Sequence, residues 1–265
     1  MLYIHENNLR NKISSNYNGL KVEIENFYNE KYLPMRKSVL ALEFSDTQRA
    51  NFSIATNIFN NYYTELLAFS KKYGIKSQSK FESTFLEEIS VYLIKDIQEI
   101  KETKLGIFNK RIYAGLKIDG NHRIEIITKD VDFCVGKRVE ISIDSQPKTE
   151  LILPIIAVEV KTYLDATMFG EVKSSSKSIK SASPNSRTYV LMGYKNIADE
   201  HIIAARQDSV LNEIFVLRKN ANSPMDANVV FNYWQELEQS IKMIATEDRI
   251  SVPGRLINPD KNRGL

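Results

Sequence analysis

The sequence predicts an α/β fold, with a central mixed β-sheet of about five strands flanked by helices and a helical extension at the N-terminus. Three observations carry that expectation. Residues 1 to about 100 space their apolar side chains at helical period, whereas from about Ile107 short β-branched runs separated by turn signals take over. A strand, a helix and a strand then follow one another between Glu159 and Tyr194, the order of a parallel crossover. Two of the apolar runs, 129–136 and 151–165, also contain acidic residues where a buried strand should contain none.

Taken in order, residues 9–28 have loosely helical spacing, and Pro34 interrupts the segment after them. Ser45-Asp-Thr starts a helix over 48–73, with Ile54, Ile58, Tyr62, Leu66 and Phe69 along one face and Gly74 as its stop. The aromatic residues of this helix suit core or dimer packing. A second helix spans 79–100: Ser79 with Glu82 fits a capping box, and Phe81, Phe85, Ile89, Leu93 and Ile97 make its stripe. On that wheel Glu82 falls near the middle of the stripe, and Glu87 and Glu88 lie off its centre. Strands follow at 111–117 and 123–128 around an Asp119-Gly-Asn turn, then at Asp132, at 138–143 and at Glu159. A helix from Asp165 to Ile179, capped by Asp165 or Thr167, leads to strands at 187–194 and 213–218. A last helix covers 226–245, before a Pro/Gly-containing tail at 251–265. This layout divides into a helical region, 1–78, for DNA binding or dimerisation, and an α/β core with its C-terminal helix, 79–265.

Composition narrows the function classes. The chain has 265 residues, 43% hydrophobic and 26% charged, enough for a substantial core. A net charge of +3 is too even to mark a nucleic-acid binder by itself. No segment approaches the roughly 18 apolar residues of a membrane span, and the first residues lack the order of a signal peptide, so a cytoplasmic location is expected. A single cysteine, Cys134, excludes internal disulfides and cysteine-rich metal sites. His5, His122 and His201 are scattered without metal-ligand spacing and read as surface or structural. No Gly-rich phosphate loop or dinucleotide fingerprint is present.

The chemistry concentrates in the two acidic strands. Glu159 and Lys161 are two apart and share a face of their strand, and a neighbouring Asp132 strand would bring two carboxylates and an ammonium to one point. A divalent cation would relieve the repulsion between the carboxylates. Asp130 shares a face with Asp132 and is the residue that could exchange with it.

Asp132, Glu159 and Lys161 in this order resemble the active-site pattern of PD-(D/E)xK nucleases. The runs S-K-F-E-S-T-F-L-E-E-I (79–89), K-D-V-D-F-C-V-G (129–136) and A-V-E-V-K-T-Y-L-D-A-T-M-F (157–169) resemble, more closely, type II restriction endonucleases of the BbvCI group. Val131 stands where the superfamily's name has proline. The resemblance, which spans 79–194, implies Mg2+-dependent, sequence-specific cleavage of double-stranded DNA at partly symmetric sites. Asp132 and Glu159 would ligate the metal, with the Val160 carbonyl as a further ligand, and Lys161 would hold or help deprotonate the attacking water. Glu82 would complete a second shell or a second metal site, a place for which Glu88 and Asp130 also stand open. One chain offers one such set, so a homodimer or a heterodimer with a related nuclease subunit is implied, in a prokaryotic cytoplasm. Two other readings remain: a repair or recombination nuclease of the same fold, and a non-catalytic DNA-binding partner subunit.

For DNA, the basic, hydroxyl-rich segment 173–187 suits phosphate contacts through Lys173, Lys177, Lys180 and Arg187. Lys104, Lys110, Arg111, Lys117 and Arg123 are candidates for reading base edges.

Overall fold

The computed structural model describes residues 3–142, 148–207 and 210–245. The expected tail at 251–265 and the polar link around Pro147 lie outside them. Helices α1 (Ile4–Ser14), α2 (Lys21–Phe27), α3 (Leu33–Leu40), α4 (Arg49–Lys72), α5 (Ser83–Ile94) and α6 (Gln98–Glu102) come first. Strands β1 (Leu105–Phe108), β2 (Ile112–Ile118), β3 (Ile124–Lys129), β4 (Phe133–Ile141) and β5 (Thr149–Leu164) follow, then α7 (Ala166–Ala182), β6 (Arg187–Lys195), α8 (Asp199–Gln207), β7 (Glu213–Arg218) and α9 (Ala227–Ala245). This is the expected mixed α/β architecture, with two more strands than anticipated: among the described residues the sheet has seven. The acidic run at Asp132 and the strand expected at 138–143 are one continuous β4, and α8 is an element for which the sequence raised no expectation.

Several boundaries differ from the sequence reading for local reasons. The helix expected over 9–28 is broken at Asn16 and Asn18, whose φ of 49° and 51° are left-handed, a conformation asparagine tolerates. Pro34 does not interrupt the chain. A π turn over Tyr28–Tyr32 joins α2 to α3, and Pro34 sits in the first turn of α3, where its missing N–H leaves no intrahelical bond unmade. On α4 the buried face runs through Phe52, Ala55, Phe59, Tyr62, Tyr63 and Leu66, while Ile54 is 47% exposed. The capping box at Ser79 does not form: Lys80 is left-handed (φ 55°), α5 begins at Ser83, and no side chain caps it. The helix also stops at Ile94, and Ile97 packs into the core from the link to α6.

The sheet has two differently clothed faces. Phe133, Val135, Ile156, Val158 and Val160 point into a large core shared with α5, α9 and the N-terminal helices. Cys134, Ile152 and Ala157 point into a smaller one with Ile179 of α7, and Val190 and Met192 into another with Phe169 and Val172. The large core runs unbroken from Leu9 to Ile241, across the boundary expected at 78.

One irregularity decides which way β5 faces. Val135 pairs with Ile156 but Gly136 pairs with Pro154, so Ile155 is an extra residue on β5. A bulge tolerates Pro154, which has no N–H to give. At Gly136 a Cβ would meet the Leu153 carbonyl oxygen at 2.5 Å, so only glycine lets the strands close there. Ile152 and Ala157, five residues apart, thus share a face, which simple alternation forbids. The slip aims Glu159 and Lys161, in step with Ala157, toward α7.

Candidate active site

Asp132 immediately precedes β4, in the link between β3 and β4, next to buried Val131. Its Oδ2 accepts the Val160 backbone N–H at 2.8 Å, so the main chain of β5 fixes it. Glu159 and Lys161 project from the adjoining stretch of β5. The Lys161 ammonium lies 3.5 Å from Asp132 Oδ2 and 3.3 Å from Glu159 Oε2, bridging the two carboxylates. From α7, the Ser175 hydroxyl donates to Glu159 Oε1 at 3.1 Å. The three charged side chains keep 16–28% of their surface exposed, so the cluster opens to solvent on one side.

The electrostatics follow from that geometry. Burial and then the Asp132 charge push the Glu159 carboxyl above the usual carboxylate range, against the opposing pull of Lys161 and Ser175. Burial pulls the Lys161 ammonium down, but Asp132 and Glu159 outweigh it and hold it above the ordinary lysine range. Lys161 thus stands as an ammonium that donates to both carboxylates. Two half-buried carboxylates held by one ammonium leave an excess of negative charge. Together with the Val160 carbonyl, whose N–H already turns to the Asp132 side, they form an all-oxygen donor set that suits a hard divalent cation keeping several waters.

Asp130 is exposed and takes a different part. Its Oδ1 accepts the backbone N–H of Arg111, which turns the chain at a φ of 59°. Glu82 sits half-buried at the N-terminal boundary of α5, and its charge bears on the Tyr63 hydroxyl. Among the described residues no third carboxylate, histidine or cysteine joins Asp132 and Glu159 in a metal-binding group.

The α5 residue in the field of the cluster is Glu87, which is buried. Burial first, then the charges of Asp132 and Glu159 against those of Lys80 and Lys161, push its carboxyl up to about 8. Glu88, also buried, faces the other way: its Oε2 accepts the backbone N–H groups of His5 and Glu6, and its Oε1 the hydroxyls of Tyr32 and Tyr92. Sequence reasoning missed Glu87 and Ser175. A signal for Glu87 was present, a carboxylate pair inside the apolar run 85–94; nothing distinguished Ser175 among the serines of α7.

The basic residues separate into two groups. Lys173 and Lys177 stand one turn apart on α7, either side of Ser175. Lys180 and Arg187 instead line a cleft of about 550 Å3 with Asn185 and Asn212. Arg187 pairs with Ile156, three residues before Glu159, so this cleft lies off toward the start of the parallel strands. Burial and then the Arg187 charge hold the Lys180 ammonium below its ordinary range. Lys117 is paired with Glu125 at 2.9 Å on the exposed β2–β3 hairpin.

Known proteins with the same features can be set beside this geometry. The sequence profile described as Bpu10I restriction endonuclease matches residues 78–243. Among solved structures, one titled "native BbvCI A2B2 tetramer at low resolution" superposes with a TM-score of 0.75 over 93% of this chain and 99% of that one, at 16% identity. No curated protein matches the chain.

Proposed function

The chain belongs to the Bpu10I restriction endonuclease family, and on that premise we propose that it is a catalytic type II restriction endonuclease subunit making Mg2+-dependent, sequence-specific breaks in double-stranded DNA. The observation that carries the reading is the convergence of Asp132, Glu159 and Lys161 from two neighbouring stretches of the sheet. Asp132 and Glu159, with the Val160 carbonyl, would hold the metal. When bound, Mg2+ lowers the pKa of a water and stabilises charge on the phosphate. Lys161, an ammonium between the carboxylates, orients the attacking water and offsets the charge that develops on the phosphate oxygens. Ser175 holds Glu159 in place from α7. Glu87, a buried carboxylate in the electrostatic field of the pair, takes the supporting role expected of Glu82.

Lys173 and Lys177, on the helix that carries Ser175, are the nearer of the basic residues for phosphate contacts, with Lys180 and Arg187 further along the duplex. One chain carries one such set and cuts one strand, so two chains act together. The A2B2 assembly named for the similar structure favours a related partner subunit, and the helices of 1–78 offer the surface for a partner or for DNA. No helix among the described residues is long and apolar enough to cross a membrane.

The test is digestion of a mapped plasmid by the purified chain, alone and with a partner subunit, with Mg2+ and with EDTA. Discrete linear or nicked products that require Mg2+ are expected, and Glu159→Ala should lower the rate at least a hundredfold. Full cleavage by Glu159→Ala would sink the assignment.

A further inference from the structure

Beyond its first residues the β2–β3 hairpin leaves the sheet. β2 joins β5 through one pair, Ile112 with Ile152. Continued in parallel, Leu116 would fall level with Ile156, a place that Arg187 of β6 already takes. The ladder slips between Tyr113 and Gly115, whose φ of 142° suits glycine, and such a bulge bends and twists the ribbon. Past it β2 and β3 pair only with each other, and β3 is an edge of the sheet. From the Ile112–Lys129 pair to the Ile118–Ile124 pair the ribbon runs about 20 Å.

Its base adjoins the acidic cluster, because the chain passes from β3 through Asp130 and Val131 into Asp132. There the two legs are tied together: the Val131 N–H donates to the Asn109 carbonyl at 3.1 Å, and the Arg111 N–H to Asp130. The tip is closed as firmly. The Asp119 N–H donates to the Arg123 carbonyl, and Asp119 Oδ1 accepts the N–H groups of Asn121 and Arg123.

Aliphatic side chains fill one face of the ribbon, Leu116 opposite Ile126 and Ile118 opposite Ile124. Leu116 is 53% and Ile118 71% exposed. Cations frame this strip. Residues 110–130 hold five cations and three acids, and every acid is engaged within the hairpin: Asp119 in the turn, Glu125 by Lys117, Asp130 by the Arg111 backbone. Among the described residues, the side chains of Lys110, Arg111 and Lys129 at the base and of Arg123 at the tip make no hydrogen bond or ion pair.

We propose that this ribbon lies in the major groove of the duplex beside the cut, with Leu116 and Ile118 against base edges and the four unpaired cations on the flanking phosphates. The inference rests on the nuclease reading above and names the element that reads sequence for that site. A two-stranded ribbon fits a groove about 12 Å wide, and apolar side chains there meet thymine methyl groups. A reach of about 20 Å covers about six base pairs of B-DNA. A partner subunit fits the same surface less well. Four aliphatic side chains fall well short of the roughly 800 Å2 that a stable interface buries on each side, and lysine is depleted at interfaces.

The experiment compares the full chain, in its active assembly, with its Ile118→Ser, Arg123→Ala and Lys129→Ala variants, all changes at the surface of the ribbon. Ile118→Ser should lower kcat/KM about tenfold on the cognate site and much less on sites altered where the ribbon reads. Arg123→Ala and Lys129→Ala should each reduce the salt slope of DNA affinity by about one. Melting temperature and assembly mass should match the parent in all three. In the parent, 7-methylguanine, or uracil in place of thymine, within about six base pairs of the cut should interfere with cleavage, and the uracil effect should fade in Ile118→Ser. Parental kcat/KM and salt slopes in all three variants would overturn the proposal. So would an Ile118→Ser chain whose assembly falls apart, which makes the strip a subunit contact. If the parent chain neither binds nor cuts duplex DNA in any assembly, the nuclease reading fails first, and the ribbon's role fails with it.

Discussion

At the scale of single residues, buried polar groups divide between the site and the frame. His5 belongs to the frame. Thr84 spends its hydroxyl proton on the Lys80 carbonyl, so His5 Nδ1 donates to Thr84 and Nε2 accepts from Tyr62, which makes the ring a neutral tautomer. Burial accordingly lowers its pKa to about 3. The unfolded chain takes up that proton below about 6.5 and the folded one does not, so stability is full above that pH and falls as pH drops toward 3. The loss amounts to about 2 kcal/mol by pH 5; because the raised Glu87 carboxyl gains stability over the same range, it is read as the difference between the parent and His5→Gln in urea titrations from pH 7 to 5. In the site, Glu87→Gln is expected to slow cleavage tenfold or more and Glu82→Gln less than twofold, measured at saturating Mg2+. The positions of Asp132, Glu159 and Lys161 were legible because charge inside an apolar strand is costly and so conspicuous. Glu87 and Glu88 were not, because a helical wheel assumes one wet side, and α5 is buried from Thr84 to Ile94.

Among the elements, β5 shows how a local defect sets the geometry of the candidate site. Its bulge at Ile155 shifts the alternation by one, and only past that slip do Glu159 and Lys161 turn to the α7 side where Ser175 meets them. No pattern of apolar residues announces a one-residue slip, although Pro154 within a strand and Gly136 opposite were its traces in the sequence. Gly136→Ala should cost about 1–3 kcal/mol in chemical denaturation, because the added carbon meets backbone rather than a movable side chain. The α4 stripe was misjudged by a fraction of a turn for a related reason. That helix packs against both the N-terminal helices and α9, so its buried arc is wider than one stripe and is centred on Phe52, Phe59 and Tyr63. Asp165 was readable as the cap of α7, since its side chain and the third following N–H need nothing beyond local chain geometry.

For the molecule as a whole, a core that runs from Leu9 to Ile241 should make the N-terminal helices and the sheet unfold as one cooperative body. Calorimetry should find a single transition, and a chain lacking residues 1–78 should show no cooperative melting; two separate transitions in the intact chain would contradict this. The sequence showed where helices give way to strands, but not that their cores merge, because merging depends on pairings between distant residues such as Asn60 with Met225. The clamp at Glu88 carries this unity into the time domain. First-turn amides of a helix ordinarily trade their protons with water almost freely, since no carbonyl holds them. Those of His5 and Glu6 are instead held by the carboxylate of Glu88 on α5, the residue directly after Glu87. In deuterated water they should label only as α5 itself opens, which makes two amides near the start of the chain a clock for the helix that carries Glu87.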